Sequence, residues 1–318
     1  MRRVAALLAV LAALAIAGCG GDAEPGAPVG ATLMLDFLPN AAHSGVYLAI
    51  ERGLYREQGV DLDVRVPGDS TDAPRLLASG RVEFGVLDIH DVGIARARGL
   101  PISCFAAIVQ RPLASVIVRR DSVIGRPADL EGGTVGVTGL PSDDAVLESV
   151  VAGDGGDPGH VRRVTIGFNA VASLASGRVD GATGFWNAEA VALRGAGVPV
   201  RVFRVDRFGA PPYPELVLCT SERFARLSPR LVAQVGKATA RGYALVLRHP
   251  DEGLGALLAA NPALEEGEQR AQLRVLLPAL SPPGRLDPAA LRAWAAWDLE
   301  HGIVDRAVDV GRAFSLGR

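Results

Sequence analysis

Lysine is almost missing from this 318-residue chain: Lys237 is the only one, and arginine supplies nearly all of the 33 basic side chains. The accompanying wealth of Ala, Arg and Gly reads as codon bias and carries no function. No basic run stands against the 35 acids, and the formal net charge is −2, or −4 once a leader holding Arg2 and Arg3 is removed. That balance argues against nucleic acid as the main partner. Aromatic residues are only 5% of the chain, so those at loop positions deserve weight as ligand contacts. Cysteine is limited to three, with no C-x-x-C and no Cys/His cluster, which leaves no structural zinc site to expect. After residue 30 no apolar run reaches membrane-spanning length. With 49% hydrophobic and 21% charged residues, the chain is neither a disordered tail nor a low-complexity repeat. Its length fits one large or two ordinary domains with a full core.

What is present begins with a leader. Arg2 and Arg3 precede an apolar run from Val4 to Ala17, the anatomy of a signal peptide over residues 1–18. Ile16-Ala17-Gly18-Cys19 resembles a bacterial lipobox, which makes Cys19 the expected lipidation site. Residues 19–30, rich in Gly with Pro25 and Pro28, read as a flexible tether. The expectation is an exported protein, lipid-anchored to the extracytoplasmic face of a membrane or in a periplasm. Cys104 and Cys219 remain, each within an apolar stretch; they read as buried free thiols, with a disulfide as the alternative.

Strand-like and helix-like segments then alternate, which predicts a mainly parallel α/β sheet. Strands are expected at 31–38, 62–66, 82–87, 102–109 and 114–119, with helices at 44–58, 72–78 and 89–98 between them. A second unit has strands at 134–138, 161–166, 179–186 and 200–204 and helices at 145–152, 170–176 and 189–194. A strand at 216–220 follows, and everything after Glu222 reads as helical. LLASGRVEFGV near 76–86 and SLASGRVDGAT near 173–183 place the same S-G-R-V-acid phrase at a helix-to-strand junction in each unit. Two similarly built lobes with a ligand at their interface follow from this.

Several phrases carry a family resemblance. Asp36-Phe37-Leu38-Pro39-Asn40 with His43, Gly53-Leu54-Tyr55-Arg56-Glu57-Gln58-Gly59-Val60, Ala78-Ser79-Gly80-Arg81-Val82-Glu83-Phe84-Gly85-Val86, Pro141-Ser142-Asp143, Gly184-Phe185-Trp186-Asn187-Ala188-Glu189 and Tyr213-Pro214-Glu215 resemble the NMT1/THI5-like solute-binding proteins. The similarity spans about residues 31 to 318. D-F-L-P-N-x-x-H combined with F-W-N-x-E points to the branch that binds thiamine-pyrimidine precursors. The resemblance implies a type II periplasmic-binding-protein fold: two α/β lobes joined by two crossovers, with a helical C-terminal tail. Lobe one would be 31–115 plus 216–318, and lobe two 116–215. It implies a small-molecule ligand, a membrane contact through the lipid anchor, and an ABC permease with its ATPase as partners. The family also includes a pyrimidine synthase that uses a pyridoxal-bearing lysine, its own histidine and a cysteine-rich iron motif. Here the lysine position is Leu87, the histidine position is Asp91 with His90 one residue away, and the segment around 210–218 has no cysteine. No cofactor is therefore expected, and the enzymatic reading is disfavoured.

The candidate ligand residues sit at strand ends. Trp186 and Asn187 follow the strand at 179–186, where α/β clefts bind ligands, and Glu189 would accept from an exocyclic amine or serve as an acid at a helix start. Asn40 and His43 lie in the first strand-to-helix loop, with Asn40 alternatively a cap and His43 a surface imidazole. Phe37 stands where relatives often have tryptophan, so stacking would remain without an indole N–H. Asp88 would be a ligand acceptor or the cap of the next helix, the cap being favoured; Ser142 and Asp143 would meet an anion or a carbonyl, or cap their helix. Tyr213 near the second crossover would close over the ligand or pack the hinge. Trp294 and Trp297 read as core. The acids Glu189 and Asp88 suit an amine-bearing, uncharged ring, such as a formylaminopyrimidine or hydroxymethylpyrimidine. Riboflavin, a sulfonate or nitrate are the alternatives, and a sensor domain without transport is a third class.

Overall fold

The computed structural model describes residues 27–68, 72–167 and 169–315. The leader, Cys19 and the tether up to residue 26 lie outside the described residues.

The chain opens with β1 (Val29–Met34), α1 (Ser44–Glu51), β2 (Val60–Arg65) and α2 (Asp72–Ala78). β3 (Phe84–Asp88), α3 (Ile89–Ala97) and β4 (Ile102–Val109) follow. The next unit holds β5 (Ala114–Arg119), β6 (Thr134–Val137), α4 (Pro141–Gly153) and β7 (Arg162–Thr165). It continues through α5 (Ala170–Ala175), β8 (Gly181–Phe185), α6 (Glu189–Gly195) and β9 (Val200–Arg204). β10 (Leu216–Ser221) returns to the first unit. It leads into α7 (Glu222–Leu227), α8 (Pro229–Arg248), α9 (Pro250–Ala260), α10 (Glu266–Leu276), α11 (Pro288–Glu300) and α12 (Val310–Ala313).

Two five-stranded sheets result, ordered β2-β1-β3-β10-β4 and β7-β6-β8-β5-β9. In the first, β1 runs parallel to β2 and β3, while β10 is antiparallel to both β3 and β4. The second repeats this pattern: β6 is parallel to β7 and β8, and β5 is antiparallel to β8 and β9. Four of the five strands in each sheet thus share one direction, as the mainly parallel expectation has it, and one strand runs against them. The strand that enters from the other unit, β10 or β5, must run against its neighbours because it arrives from the opposite side. The recurring S-G-R-V junctions are built alike: Gly80 and Gly177 have φ of 69° and 70° and end α2 and α5 in the left-handed region, where glycine carries no Cβ penalty.

Three element boundaries differ from expectation in ways that shape the site. β1 begins at Val29, paired with Val60, so the tether ends before residue 30, and β1 stops at Met34, leaving Phe37 and Leu38 in the loop beyond. α1 ends at Glu51 rather than running to 58, because the chain turns at Gly53 with φ of 67°. α4 starts at Pro141, four residues early; proline is tolerated at the first helical position, and Ser142 and Asp143 fall inside the first turn.

Cys104 and Cys219 are bonded to each other as a disulfide, which overturns the free-thiol expectation. They are directly opposed on β4 and β10, strands separated by 115 residues, and only the return of β10 to the first sheet brings them together. The Ala-rich α11 carries Trp294 and Trp297 into the core, both buried as expected. Among the described residues no helix is long and apolar enough to cross a membrane.

Candidate functional site

The carboxyl ends of β1, β3, β6 and β8 converge on one cleft between the two units, with a cavity of about 430 Å³. From the first unit come Asp36, Phe37 and Asn40 after β1, and Asp88 and Asp91 at the end of β3 and the start of α3. From the second come Thr138, Ser142 and Asp143 around the start of α4, and Asn187 and Glu189 between β8 and α6. Helix α10 closes one rim with Glu268, Gln269 and Gln272, and it packs against both residues 41–43 and α6.

Seven of the ten sequence-predicted residues therefore meet at the cleft: Phe37, Asn40, Asp88, Ser142, Asp143, Asn187 and Glu189. Several are also held by backbone donors. The Asn40 side-chain oxygen accepts from the Ala42 N–H at 2.9 Å, while the Asn40 N–H donates to His43 Nδ1 at 3.2 Å. Asp88 caps α3 by accepting from the His90 N–H at 2.7 Å, the role favoured for it, and also lines the cleft. Asp143 accepts from the Thr138 N–H at 2.7 Å and from the Thr138 hydroxyl. Glu189 accepts from the Phe185 N–H at 2.7 Å. Asn187 is buried, and its Oδ1 has no hydrogen-bond partner.

The other three stand behind the cleft wall. His43 is fully buried rather than a surface imidazole. With Nδ1 accepting from Asn40, its Nε2 donates to Asp36 at 2.8 Å, so it acts on the cleft through those two residues. Trp186 turns its indole N–H to the Pro112 carbonyl at 3.0 Å and lies under the Arg204 guanidinium, 4.4 Å from the ring centroid. That arrangement ties β8 to the first crossover and takes the indole out of the cleft lining. Tyr213 is fully buried, 3.1 Å from His90 Nε2 and edge-on to that ring. It packs beside the second crossover, just before β10.

Sequence reasoning missed Asp36 as a cleft residue although it opens the D-F-L-P-N phrase, and Asp91, which the resemblance set only against the synthase's histidine. It had no signal for Glu268, Gln269 and Gln272, which approach only because the tail folds back over the first unit.

Beneath the cleft lies a buried polar cluster at the two crossovers. Glu215 accepts from the Leu113 N–H, joining the crossovers, and stands against the Asp88 carboxyl. His90 binds Asp298 at 2.7 Å through Nδ1. Burial alone would lower the His90 pKa, but Asp298, Asp88 and Glu215 push it up to about 10. Burial, then the charge of Asp88, raises Asp91 to about 8 and Glu215 well above the carboxylate range. Burial also raises Asp88, Asp143 and Glu189, against the donors that each accepts. Asp88, His90 and Glu215 bring metal-type donor atoms within 4.8 Å of one another, yet His90 spends both ring nitrogens on Asp298 and Tyr213. Pyridoxal phosphate does not fit here: Leu87 is buried in β3, Lys237 lies on α8, and no lysine, arginine or histidine is among the described residues lining the cleft.

Two lobes, each with an antiparallel strand received from the other, and a ligand-sized cleft at the strand ends define a type II periplasmic-binding-protein fold. The alkanesulfonate-binding protein SsuA from Xanthomonas axonopodis pv. citri has the same fold, with a TM-score of 0.74 at 18% identity over 91% of this chain and 99% of that one. The chain belongs to the NMT1/THI5-like family, whose pattern matches residues 40–253. It is 34% identical over 293 residues, 89% of this chain and 88% of the relative, to the formylaminopyrimidine-binding protein of Halalkalibacterium halodurans. It is 27% identical over 73% of its length to the 4-amino-5-hydroxymethyl-2-methylpyrimidine phosphate synthase of Legionella pneumophila, covering 74% of that enzyme.

Proposed function

We propose that this chain is the lipid-anchored substrate-binding component of an ABC importer, capturing a thiamine-pyrimidine precursor of the formylaminopyrimidine or hydroxymethylpyrimidine type. The observation that carries the reading is the cleft itself. Its roughly 430 Å³ suits a single small ring, and acceptor side chains reach it from both lobes. In this reading Phe37 offers a flat apolar face, Glu189 and Asp143 accept from an exocyclic amine, and Asn40, Asn187 and Ser142 fix the ring's substituents. The 34% identity to a formylaminopyrimidine-binding protein supports the ligand class. The missing cleft lysine supports binding over synthesis.

The lobes in this proposal are 31–115 with 216–318, and 116–215, with the first boundary moved to Ala114, where β5 of the second sheet begins. Closure would bend the crossovers near Pro112–Leu113 and Tyr213–Glu215, where Trp186 and Glu215 already hold both strands. Cys19 would carry the lipid, and the permease would read the closed form.

The test is a thermal-shift screen of the purified protein with formylaminopyrimidine, hydroxymethylpyrimidine, thiamine, riboflavin, taurine and nitrate. A ligand that binds only the folded state raises its melting temperature. Selective stabilisation by a pyrimidine is expected; stabilisation by riboflavin or an anion alone would keep the fold and overturn the ligand.

A further inference from the structure

The cleft is one-sided in its chemistry. Six carboxyl groups line it, from Asp36, Asp88, Asp91, Asp143, Glu189 and Glu268, and among the described lining residues there is no cationic side chain. Asp36 has His43 at 2.8 Å, and Asp88 feels the charge of the buried His90 ring and meets the Glu215 carboxyl; the other hydrogen-bond partners are neutral donors. These are the His90 N–H for Asp88, Thr138 for Asp143, the Phe185 N–H for Glu189 and the Gln272 amide for Glu268. Asp91 has Asp88 and Asp36 close by and feels the charge of the buried His90 ring behind the wall, but no cation stands in the described lining itself.

The neutral groups lean the same way. Three amide side chains of the lining, Asn187, Gln269 and Gln272, each bury an oxygen that has no hydrogen-bond partner. The orientation of Gln272 is fixed: its amide nitrogen must face the Glu268 carboxylate, 2.8 Å away, because a carboxylate only accepts. Its orphan is therefore an acceptor. Buried acceptors without partners are costly, and carboxylates gathered at low dielectric are costlier still, a cost the cleft meets in part by holding a proton on Asp91. Both costs are removed by one kind of occupant, a group rich in N–H donors that bears positive charge.

We infer that the cleft holds its ligand as a cation, an aminopyrimidinium or a ring with a protonated amine arm, and excludes anionic forms such as phosphate esters. The inference deepens the pyrimidine reading and rests on the cleft being the ligand site. It replaces the uncharged ring suggested by Glu189 and Asp88 alone, because four further acids share their cavity. It also separates this cleft from any site that must grip a phosphate, for which a cation or a cluster of free N–H groups would be required.

Calorimetric titration of the full-length protein at pH 7.5 tests it, using 4-amino-2-methylpyrimidines that differ only at position 5. The arms are aminomethyl (cationic), hydroxymethyl (neutral) and phosphoryloxymethyl (anionic), with benzamidine and benzamide as a charged and neutral pair lacking the pyrimidine. The aminomethyl compound is expected to bind at least about tenfold tighter than the hydroxymethyl compound, and the phosphate at least about a hundredfold weaker than the hydroxymethyl. Asp143→Asn, which preserves shape, should shrink the first ratio. If the three pyrimidines bind alike, or the phosphate binds best, the charge inference is overturned while the pyrimidine reading stands. If no pyrimidine binds but benzamidine does so over benzamide, the charge inference holds and the pyrimidine reading falls. If nothing binds, both fall.

Discussion

Asp91 shows how single residues report on this cleft. Its carboxyl titrates near 3.8 in an unfolded chain and at about 8 in the folded one, so the folded state holds the proton more tightly. Stability from this group is complete below about pH 4 and is lost as pH rises toward 8. His90 acts in the same direction at higher pH: its pKa rises from 6.5 to about 10, and its contribution fades across that window. The protein is therefore expected to unfold at lower urea concentration at pH 9.5 than at pH 6. Asp91→Asn, neutral at every pH, should flatten the slope between about pH 4 and pH 8 and be the more stable form at pH 8. A variant that follows the wild-type slope would show that the proton sits elsewhere. The position was legible in the sequence only as the place of a missing histidine. Its setting includes Asp36 from the loop after β1, a neighbour that no local pattern describes. Trp186 shows the converse, for its strand-end position was legible and its side-chain direction was not. The indole N–H goes to the Pro112 carbonyl, a partner 74 residues away.

Elements that hold the site in place are bound by long-range contacts. Helices α1 and α8 meet at Gly45 and Gly242, where a Cβ on Gly242 would lie 2.1 Å from the Gly45 carbonyl oxygen. Next to it, the Tyr243 hydroxyl donates to the Ala42 carbonyl and pins the loop that bears Asn40. Gly242→Ala should destabilise the protein by about 1–3 kcal/mol or more, as overpacking does, and weaken ligand binding through the displaced loop. Urea denaturation and titration of the same variant measure both effects, and an unchanged denaturation midpoint would contradict the contact. The Cys104–Cys219 bond closes a 115-residue separation that includes the whole second unit. Its loss in the Cys104→Ala/Cys219→Ala pair should cost about 2–5 kcal/mol, read as a lower denaturation midpoint. Indifference of the midpoint to reductant would argue that the bond does not form. Strand and helix positions were largely legible from apolar period and glycine stops. The antiparallel insertion of β5 and β10 was not, because pairing direction is set by which lobe a strand came from.

At the scale of the whole molecule, two lobes exchange a strand each and leave a cleft whose walls are acidic on both sides. The two-lobe plan could be read from the repeated S-G-R-V junctions and from the family phrases. The third wall could not, since α10 reaches the cleft only after the chain has returned to the first lobe through β10. In the proposed closure Asp143 and Glu189 would approach Asp36, Asp88 and Asp91, and an occupant with donors would make that approach favourable. The most direct measurement of the account is a calorimetric titration of formylaminopyrimidine into the full-length protein. Saturable one-to-one binding, weakened at least about tenfold in Glu189→Ala, is the predicted result. Absence of saturable heat at millimolar ligand, or binding untouched by Glu189→Ala, would contradict it.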